Sequence, residues 1–359
     1  MSEFPGSIAY IDWARQNVGQ SRCDLRSSGI EPRSAEEMDI DWDQVARTLG
    51  KARETELEGA VAECVAERYG VGTDQVTMAG GTSGINFHVI AGLVPPGGEV
   101  LLERPFYEPL WAIPKLLGRE VRFFERPVDG GFAVDPLRVE AALTHNTRLV
   151  IVTRLHNPTG TDISVDTLQA LGEMAEAHGL WVLVDEIYAD FFESPTYAPH
   201  IHPRLLSTGS LTKVYGLPWL RAGWCLADSQ ATVAIRQARD RGEVAWGAAD
   251  RALALVLWER LDALREEGRA VADRGLRIAQ QIIGESARAV MSTPPAGLIG
   301  FVHWEGAIDA VVERLLARGI GVTPGHFFGA PGGVRVGWGG DPALVAEGIT
   351  ALVEEIEKG

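Results

Sequence analysis

The central part of the chain alternates short apolar runs, rich in β-forming residues, with longer amphipathic or Gly/Pro-punctuated stretches. The runs lie at residues 99–102, 120–124, 149–153, 181–184 and 205–207. This alternation predicts an α/β sheet. The runs are continuous, as in Leu-Val-Ile-Val, rather than alternating in polarity. We therefore expect mostly parallel strands that are covered by helices on both faces.

The last third of the chain shows a different pattern. A proline-free stretch at residues 230–284, rich in Ala, Leu, Arg and Glu, predicts a long interdomain helix followed by another. A compact α+β unit is predicted after it, from strand-like runs at 299–304, 320–323 and 334–338 and from helical stretches at 307–318 and from 341 onward.

Together the two regions predict a large and a small domain. The large one is a three-layer α/β/α domain over residues 41–267 with a mostly parallel mixed sheet. The small α+β domain combines residues 1–40 with residues 268–359. Because the first 39 residues have little periodicity, we expect them to pack on the small domain or across an active site.

The charge of the chain argues against two classes of partner. The 33 basic and 49 acidic residues give a net charge of −16, which repels phosphate backbones and anionic lipid headgroups. We therefore expect no nucleic acid and no membrane as partners. Any anionic cofactor has to be held by a local cluster of donors that acts against this overall field.

Other patterns favour a cytoplasmic protein without a metal. Three scattered cysteines, Cys23, Cys64 and Cys225, form no Cys-x-x-Cys pair, which indicates a reducing compartment. Residues 1–6 lack the features of an export signal, and no apolar run is long enough to span a bilayer. The spacing of His, Cys and carboxylate residues predicts no metal site, and there is no Gly-x-Ser-x-Gly motif of a hydrolase.

Polar residues follow three of the predicted strands. Asn157 comes shortly after one strand, Asp185 directly after another, and Lys213 soon after a third. Ligands of parallel α/β sheets gather at the carboxyl ends of the strands. We therefore expect these three side chains to lie in one site.

Lys213 is one of only four lysines in the chain, and its neighbours suit an aldehyde cofactor that carries a phosphate. Its amine can form a Schiff base, while Ser210, three residues before it, and Arg221, eight residues after it, can hold the phosphate. The segment Gly-Gly-Thr-Ser-Gly at residues 80–84 precedes an apolar helical run, where backbone amides can bind phosphate.

The order of these motifs resembles that of fold-type I pyridoxal-phosphate enzymes, specifically the class I/II aminotransferase family, over most of the chain. The resemblance implies a cofactor, pyridoxal 5′-phosphate, bound to Lys213, which later moves a proton between the substrate Cα and cofactor C4′. It implies that Asp185 pairs with the pyridine nitrogen. Tyr188 and Asn157 would then donate hydrogen bonds to the 3′ oxygen of the cofactor.

The resemblance assigns the remaining site residues as well. It places the phosphate on Gly81, Thr82, Ser210 and Arg221, and it stacks the ring on Tyr107, with Phe106 as the alternative. It assigns the substrate carboxylate to Arg335, Asn157 and the backbone of Gly29.

A homodimer is expected by the same resemblance. Members of the family often place a tyrosine before the first large-domain helix, from which it reaches the phosphate of the neighbouring subunit. Residues 47–51, Arg-Thr-Leu-Gly-Lys, offer no tyrosine here, which leaves that contact unassigned.

The function expected from the resemblance is amino-group transfer from an L-amino acid to a 2-oxo acid. One alternative is β- or γ-elimination, as in C–S lyases, or cyclisation, because residues 27–29 and 156–158 resemble those of capreomycidine-synthase-type cyclases. A substrate with a guanidinium group would then need acidic or aromatic side chains, for which Asp12, Trp13 and Asp24 are candidates. A non-catalytic regulator is disfavoured, because the chain has no spare length for a basic DNA-binding module.

Overall fold

A computed structural model describes residues 8–51 and 53–359 of the chain. Across these residues the strands are β1 (Cys23–Asp24), β2 (Val76–Gly80), β3 (Glu99–Arg104), β4 (Glu120–Glu125), β5 (Thr147–Thr153), β6 (Trp181–Asp185), β7 (Leu205–Ser210), β8 (Ala222–Leu226), β9 (Val290–Met291), β10 (Ile299–His303), β11 (Ile320–Gly321), β12 (Thr323–Pro324) and β13 (Gly333–Gly337). The α-helices are α1 (Ala9–Asn17), α2 (Trp42–Lys51), α3 (Glu54–Tyr69), α4 (Gly81–Leu93), α5 (Glu108–Leu116), α6 (Pro136–Ala142), α7 (Val165–His178), α8 (Ala198–Ile201), α9 (Ser229–Arg239), α10 (Ala248–Trp258), α11 (Leu261–Gly284), α12 (Ile308–Ala317) and α13 (Pro342–Glu357).

A seven-stranded sheet forms the centre of the fold, with the strand order β2-β8-β7-β6-β5-β3-β4. Neighbouring strands from β7 to β4 are parallel, and β8 runs antiparallel to both β2 and β7. The predicted fold class, with a mostly parallel mixed sheet between helices, is confirmed.

The continuous apolar runs of the sequence are explained by burial on both faces of this sheet. In β5, Leu149 and Ile151 pack in the same apolar cluster as Val89 of α4. Val150, between them in the chain, packs on the opposite face with Leu168 of α7. Because successive side chains of a strand point to opposite faces, a strand covered on both sides is apolar throughout.

A second region is built from the two ends of the chain. Strands β12, β13, β10 and β9 form an antiparallel sheet in that order. Strand β1 pairs in parallel with β11, so that Cys23 lies opposite Ile320. The N-terminal segment therefore packs against the C-terminal unit. The domain boundaries at residues 40 and 267 remain a prediction, and residues 1–7, including the predicted lack of an export signal, lie outside the described residues.

Two expectations about individual elements were wrong in detail. The stretch at residues 230–284 forms three helices, α9, α10 and α11, and the longest of them is the last. The chain leaves the helix after Arg239, where Glu243 accepts a hydrogen bond from the backbone of Gly80, 163 positions away. The run at 320–323 is divided between β11 and β12, which belong to different sheets.

None of the helices in residues 8–51 and 53–359 is both long and apolar enough to cross a membrane.

Candidate active site

The site lies at the carboxyl ends of the parallel strands, as the sequence predicts. Asp185 is the last residue of β6, Lys213 follows the end of β7, and Asn157 follows the end of β5. A cavity of about 320 Å³ opens between them. The predicted site residues that line it are Thr82, Tyr107, Asn157, Asp185, Tyr188, Lys213 and Arg221.

Asp185 presents a buried carboxylate to the cavity. Its Oδ2 accepts a hydrogen bond from Nδ2 of Asn86 at 3.1 Å, and its Oδ1 accepts one from the amide of Ile187 at 3.3 Å. Burial raises the pKa of Asp185 to about 6, although both hydrogen bonds and the nearby Lys213 oppose that shift. Such a carboxylate is stabilised in its charged form by a cationic partner in the cavity.

Lys213 carries the amine of the cavity. Its Nζ donates a hydrogen bond to Oγ of Ser28 at 2.9 Å. Burial, together with the positive charges of Arg335 and Arg221, lowers the pKa of Lys213 to about 8, while Asp185 acts in the opposite direction. The neutral amine, which is the nucleophilic and basic form, is therefore much more populated near neutral pH than in a free lysine.

The start of α4 and the guanidinium of Arg221 form a cup for an anion. Gly81 has a φ of 84°, and a Cβ atom at this position would collide with the guanidinium of Arg221. The buried Oγ1 of Thr82 has no hydrogen-bond partner among the described residues. Ser210 is also buried, and its Oγ accepts a hydrogen bond from the amide of Thr212 at 3.3 Å. A free hydroxyl, helix-terminal amides and an arginine suit a phosphate group.

Two tyrosines enclose the centre of the cavity. The hydroxyl of Tyr188 donates to the backbone carbonyl of Ser28 at 3.0 Å, and burial raises the pKa of Tyr188 to about 12. Tyr107 packs edge-on against Tyr10, with 5.8 Å between the ring centroids. Phe106, the alternative stacking residue, stacks on Phe123 instead and does not line the cavity. Tyr107 is therefore the aromatic side chain available to a ring in this site.

Arg335 lies on β13, fully buried beside the cavity. Its Nη1 donates to Oδ1 of Asn157 at 3.0 Å, and its Nη2 donates to the hydroxyl of Tyr10 at 3.0 Å and to the carbonyl of Arg26 at 2.8 Å. Its Nε has no hydrogen-bond partner among the described residues. A buried guanidinium without a neighbouring carboxylate partner suits the carboxylate of a substrate.

Gly29, the remaining predicted residue, lies behind the lysine. A Cβ atom at position 29 would be 3.6 Å from Cδ of Lys213, which is ordinary van der Waals contact. The backbone of Gly29 is therefore next to the side-chain stem of Lys213, and it lies three positions after Arg26, whose carbonyl accepts a hydrogen bond from Arg335.

The three side chains considered for a guanidinium substrate do not line the cavity. Asp24 forms an ion pair with Arg26 at 2.7 Å, and Asp12 lies 3.8 Å from Arg15. Trp13 packs against Phe327, with 5.0 Å between the ring centroids.

The cavity is also lined by residues that were not predicted from the sequence, among them Tyr10, Ser28 and Asn86. Asn86 lies five positions after Gly81 on α4, and its polar side chain between Ile85 and Phe87 was a signal for it. Ser28 and Tyr10 belong to a segment without periodicity. Their roles follow from contacts to residues 185 and 325 positions away, so no local pattern could indicate them.

The described residues contain no group of three or more His, Cys, Asp or Glu side chains that could hold a metal ion.

Comparison with known proteins identifies the class to which this fold and site belong. The family model for aminotransferases of class I and II matches residues 43–352, and the chain belongs to this family. Its cofactor is therefore pyridoxal 5′-phosphate. The unpartnered Oγ1 of Thr82, the close contact of Gly81 with the guanidinium of Arg221 and the buried Asp185 fit the phosphate and the ring nitrogen of that cofactor.

Individual relatives include enzymes with different reactions. Capreomycidine synthase of Streptomyces vinaceus is 28% identical over 367 residues, which cover 96% of this chain and 92% of that protein. Arginine–pyruvate transaminase of Pseudomonas aeruginosa is 28% identical over 300 residues, which cover 77% of this chain and 75% of that protein. The crystal structure of a pyridoxal-phosphate-dependent aminotransferase from Streptococcus suis has a TM-score of 0.90 at 24% identity, covering 99% of this chain and 98% of that one.

Proposed function

We propose that the protein is an aminotransferase that moves an amino group from an L-amino acid to a 2-oxo acid. The observation that carries this proposal is that the amine of Lys213 lines the cavity, while a buried arginine with an unpartnered Nε, Arg335, is hydrogen-bonded to two side chains that also line it, Asn157 and Tyr10. An amino acid offers an amino group and a carboxylate on the same carbon. Such a substrate matches this pair of groups.

In this proposal, some residues of the site bind the cofactor and the substrate, and Lys213 transfers the proton. When bound, pyridoxal phosphate supplies an aldehyde for the amino group and a ring that accepts an electron pair. Asp185 would hold the ring nitrogen in its protonated form, while Gly81, Thr82, Ser210 and Arg221 would hold the phosphate. Tyr188 and Asn157 would bind the 3′ oxygen of the cofactor, and Tyr107 would pack on the face of its ring.

Lys213 is the base in this proposal. Its pKa of about 8 allows it to take the proton from the substrate Cα near neutral pH and to return it at the neighbouring carbon. Arg335, Asn157 and the backbone of Gly29 would orient the substrate carboxylate so that the Cα–H bond points toward Lys213. A second substrate, a 2-oxo acid, then runs the half reaction in reverse, which gives ping-pong kinetics.

A second candidate function is elimination or cyclisation on the same scaffold. It is supported by the similarity to capreomycidine synthase over nearly the whole length of both chains. A cyclase of that kind, or an arginine transaminase, needs a counter-ion for a guanidinium group. The proposed candidates do not favour this, because Asp24 is already paired with Arg26 and neither it nor Asp12 lines the cavity.

A panel of amino acids, followed by the absorbance of the cofactor, separates the two candidates. Transamination is expected to convert the absorbance of the loaded enzyme to a stable pyridoxamine band without a 2-oxo acid present, and adding a 2-oxo acid should reverse it. Pyruvate with ammonia, or a cyclic product, formed without that band would reject transamination in favour of the second candidate.

We also propose a homodimer in the cytoplasm. The homodimer is supported by membership of the family, and its mass in solution can be measured by sedimentation equilibrium. The cytoplasm is supported by the unpaired state of Cys23, Cys64 and Cys225, which form no disulfide.

A further inference from the structure

Ser28 makes two contacts with residues of the candidate active site. Its Oγ accepts a hydrogen bond from Nζ of Lys213 at 2.9 Å, and its backbone carbonyl accepts one from the hydroxyl of Tyr188 at 3.0 Å. Ser28 also lines the cavity. It is therefore placed beside the reacting groups, although neither its motif nor the family assignment gave it a role.

The backbone on both sides of this contact is fixed. The amide of Ile30 donates to the carbonyl of Lys213 at 3.3 Å, so the two segments are joined by a main-chain hydrogen bond next to the side-chain contact. Gly29 packs against the stem of Lys213, since a Cβ atom there would lie 3.6 Å from Cδ. The backbone that carries the hydroxyl of Ser28 is thus tied to the segment that carries the amine.

The carboxylate nearest to the lysine does not compete for this role. Asp185 favours the charged form of Lys213 through its negative charge, but its oxygens accept from Asn86 and from the amide of Ile187. Among the described residues, the hydrogen bond recorded for Nζ of Lys213 is the one to Ser28.

A neutral amine has one lone pair, and the direction of that lone pair is set by what its N–H groups bind. We propose that Ser28 is a positioning residue, whose hydroxyl binds one N–H of the free amine of Lys213 and so directs the lone pair at the substrate Cα. No bond is made or broken at Ser28. The proton moves from Cα to Nζ of Lys213, and the hydroxyl of Ser28 only holds the acceptor in line.

This inference rests on Lys213 as the base of the proposed function, but not on the fate of the substrate. Elimination and cyclisation begin with the same removal of the Cα proton. The test therefore measures that step alone, as the exchange of the Cα proton of a substrate amino acid for deuterium in D₂O, by NMR.

Ser28→Ala in the holoenzyme is expected to slow this exchange by about 10- to 50-fold, since a misdirected base loses much of its advantage from orientation. The dissociation constant of an unreactive α-methyl amino acid is expected to stay within about twofold, because Arg335 and Asn157 still bind the carboxylate. Ser28→Thr keeps the hydroxyl and is expected to restore exchange to within about threefold of the original rate.

Ser27→Ala is the matched control. Ser27 precedes Ser28, and its Oγ lies 3.4 Å from the backbone of Gly29 rather than near the amine. The Ser27→Ala variant should exchange the Cα proton of the substrate at the original rate. Should Ser28→Ala fail to fold, Ser28→Cys replaces the hydroxyl with a weak acceptor of similar shape, and the same slow exchange is expected.

A second measurement uses the protein without cofactor. The reaction of Lys213 with an amine-selective reagent, followed against pH by mass spectrometry, reports the protonation of the amine. Ser28→Ala removes an acceptor that stabilises the ammonium form of Lys213. The pH midpoint of the labelling reaction is therefore expected to fall by about half a unit in Ser28→Ala and to stay unchanged in Ser27→Ala. An unchanged midpoint, an undiminished exchange rate in Ser28→Ala, or a Ser28→Thr as slow as Ser28→Ala would each overturn the inference.

The outcome is independent of transamination. If the amino acid panel gives no pyridoxamine band, the proposed function fails, while a slow exchange in Ser28→Ala with rescue by Ser28→Thr still supports the role of Ser28.

Discussion

The carboxylate of Asp190 accepts a hydrogen bond from the hydroxyl of Tyr215, with 2.7 Å between Oδ2 and the phenol oxygen. This contact joins the loop that carries Lys213 to the segment that follows Tyr188. Two further hydroxyls, those of Tyr69 and Tyr197, donate to the same carboxylate. Burial raises the pKa of Tyr215 well above its ordinary value, so its hydroxyl remains a donor. One buried carboxylate therefore ties the segment that follows Lys213 to the segment that follows Tyr188.

Tyr215→Phe removes one of these three hydrogen bonds and leaves Asp190 with two. We expect the free energy of unfolding to fall by about 1.5–3 kcal/mol, the contribution of a hydrogen bond to a charged group. We also expect kcat to fall by about 3- to 10-fold, because the loop of Lys213 loses its anchor. Tyr197→Phe loses a hydrogen bond to the same carboxylate outside that loop and should be destabilised without a loss of kcat. Equal losses of kcat in both variants, measured beside urea unfolding, would contradict the assignment.

In the proposed phosphate cup, the contact of Gly81 with Arg221 sets how tightly the phosphate of the cofactor would be held. Gly81→Ala places a methyl group against the guanidinium of Arg221 at a backbone φ of 84°, which alanine adopts only with strain. We expect the dissociation constant of pyridoxal phosphate to rise by about tenfold or more. Gly84→Ala, three positions along the same helix, meets its neighbours at 3.7 Å and should bind the cofactor normally. Equal affinities in an absorbance titration of the two variants would disprove the proposed phosphate cup.

Arg335→Lys keeps a positive charge in the buried position but loses the planar fork. We expect kcat/KM for an amino acid to fall by about 10- to 100-fold, chiefly through KM, because a lysine cannot bind a carboxylate by two parallel hydrogen bonds. An amine without a carboxylate should be used equally by both proteins. If the variant loses activity toward that amine to the same degree, Arg335 supports the structure of the site rather than the substrate carboxylate.

The stability of the protein without cofactor should depend on Lys213. The pKa of this group is lowered from 10.5 to about 8 on folding, so the unfolded chain binds more protons between these values. The free energy of unfolding therefore rises as the pH rises from about 8 to 10.5. Below pH 8 the buried, charged lysine destabilises the fold to the full extent. Lys213→Met is therefore expected to raise the unfolding temperature at pH 7 by about 2 to 5 °C.

That advantage of Lys213→Met should shrink as the pH rises from 8 towards 10.5. Lys115→Met removes a lysine from the half-exposed end of α5 and serves as the control, with little change at any of these pH values. A gain in unfolding temperature that stays constant with pH would show that improved packing, rather than the charge of Lys213, is responsible.

The fold was predictable where local pattern and tertiary burial agree. The runs that became β3, β5 and β6 are continuous because both faces of the sheet are covered, and their sequence alone reports this. The break between α9 and α10 was not predictable, because it depends on the contact of Glu243 with Gly80 and His88 in a distant part of the chain.

The residues of the candidate site also differ in whether the sequence alone could indicate them. Asp185 and Lys213 follow apolar strands, so their convergence could be anticipated from the topology of parallel sheets. The position of Arg335 within an apolar run signalled an unusual buried charge. Ser28 and Tyr10 carry no such signal, because their importance arises from side-chain contacts across the whole length of the chain.

The pairing of the two chain ends has a consequence for synthesis in the cell. Arg335 binds the carbonyl of Arg26, 309 positions earlier, and β1 needs β11 as its partner. Because a ribosome exposes the N-terminal part first, the central sheet can form before β11 is available to pair with β1. The proposed phosphate cup of Gly81 and Arg221 can therefore form before the proposed carboxylate site, which also needs Arg335.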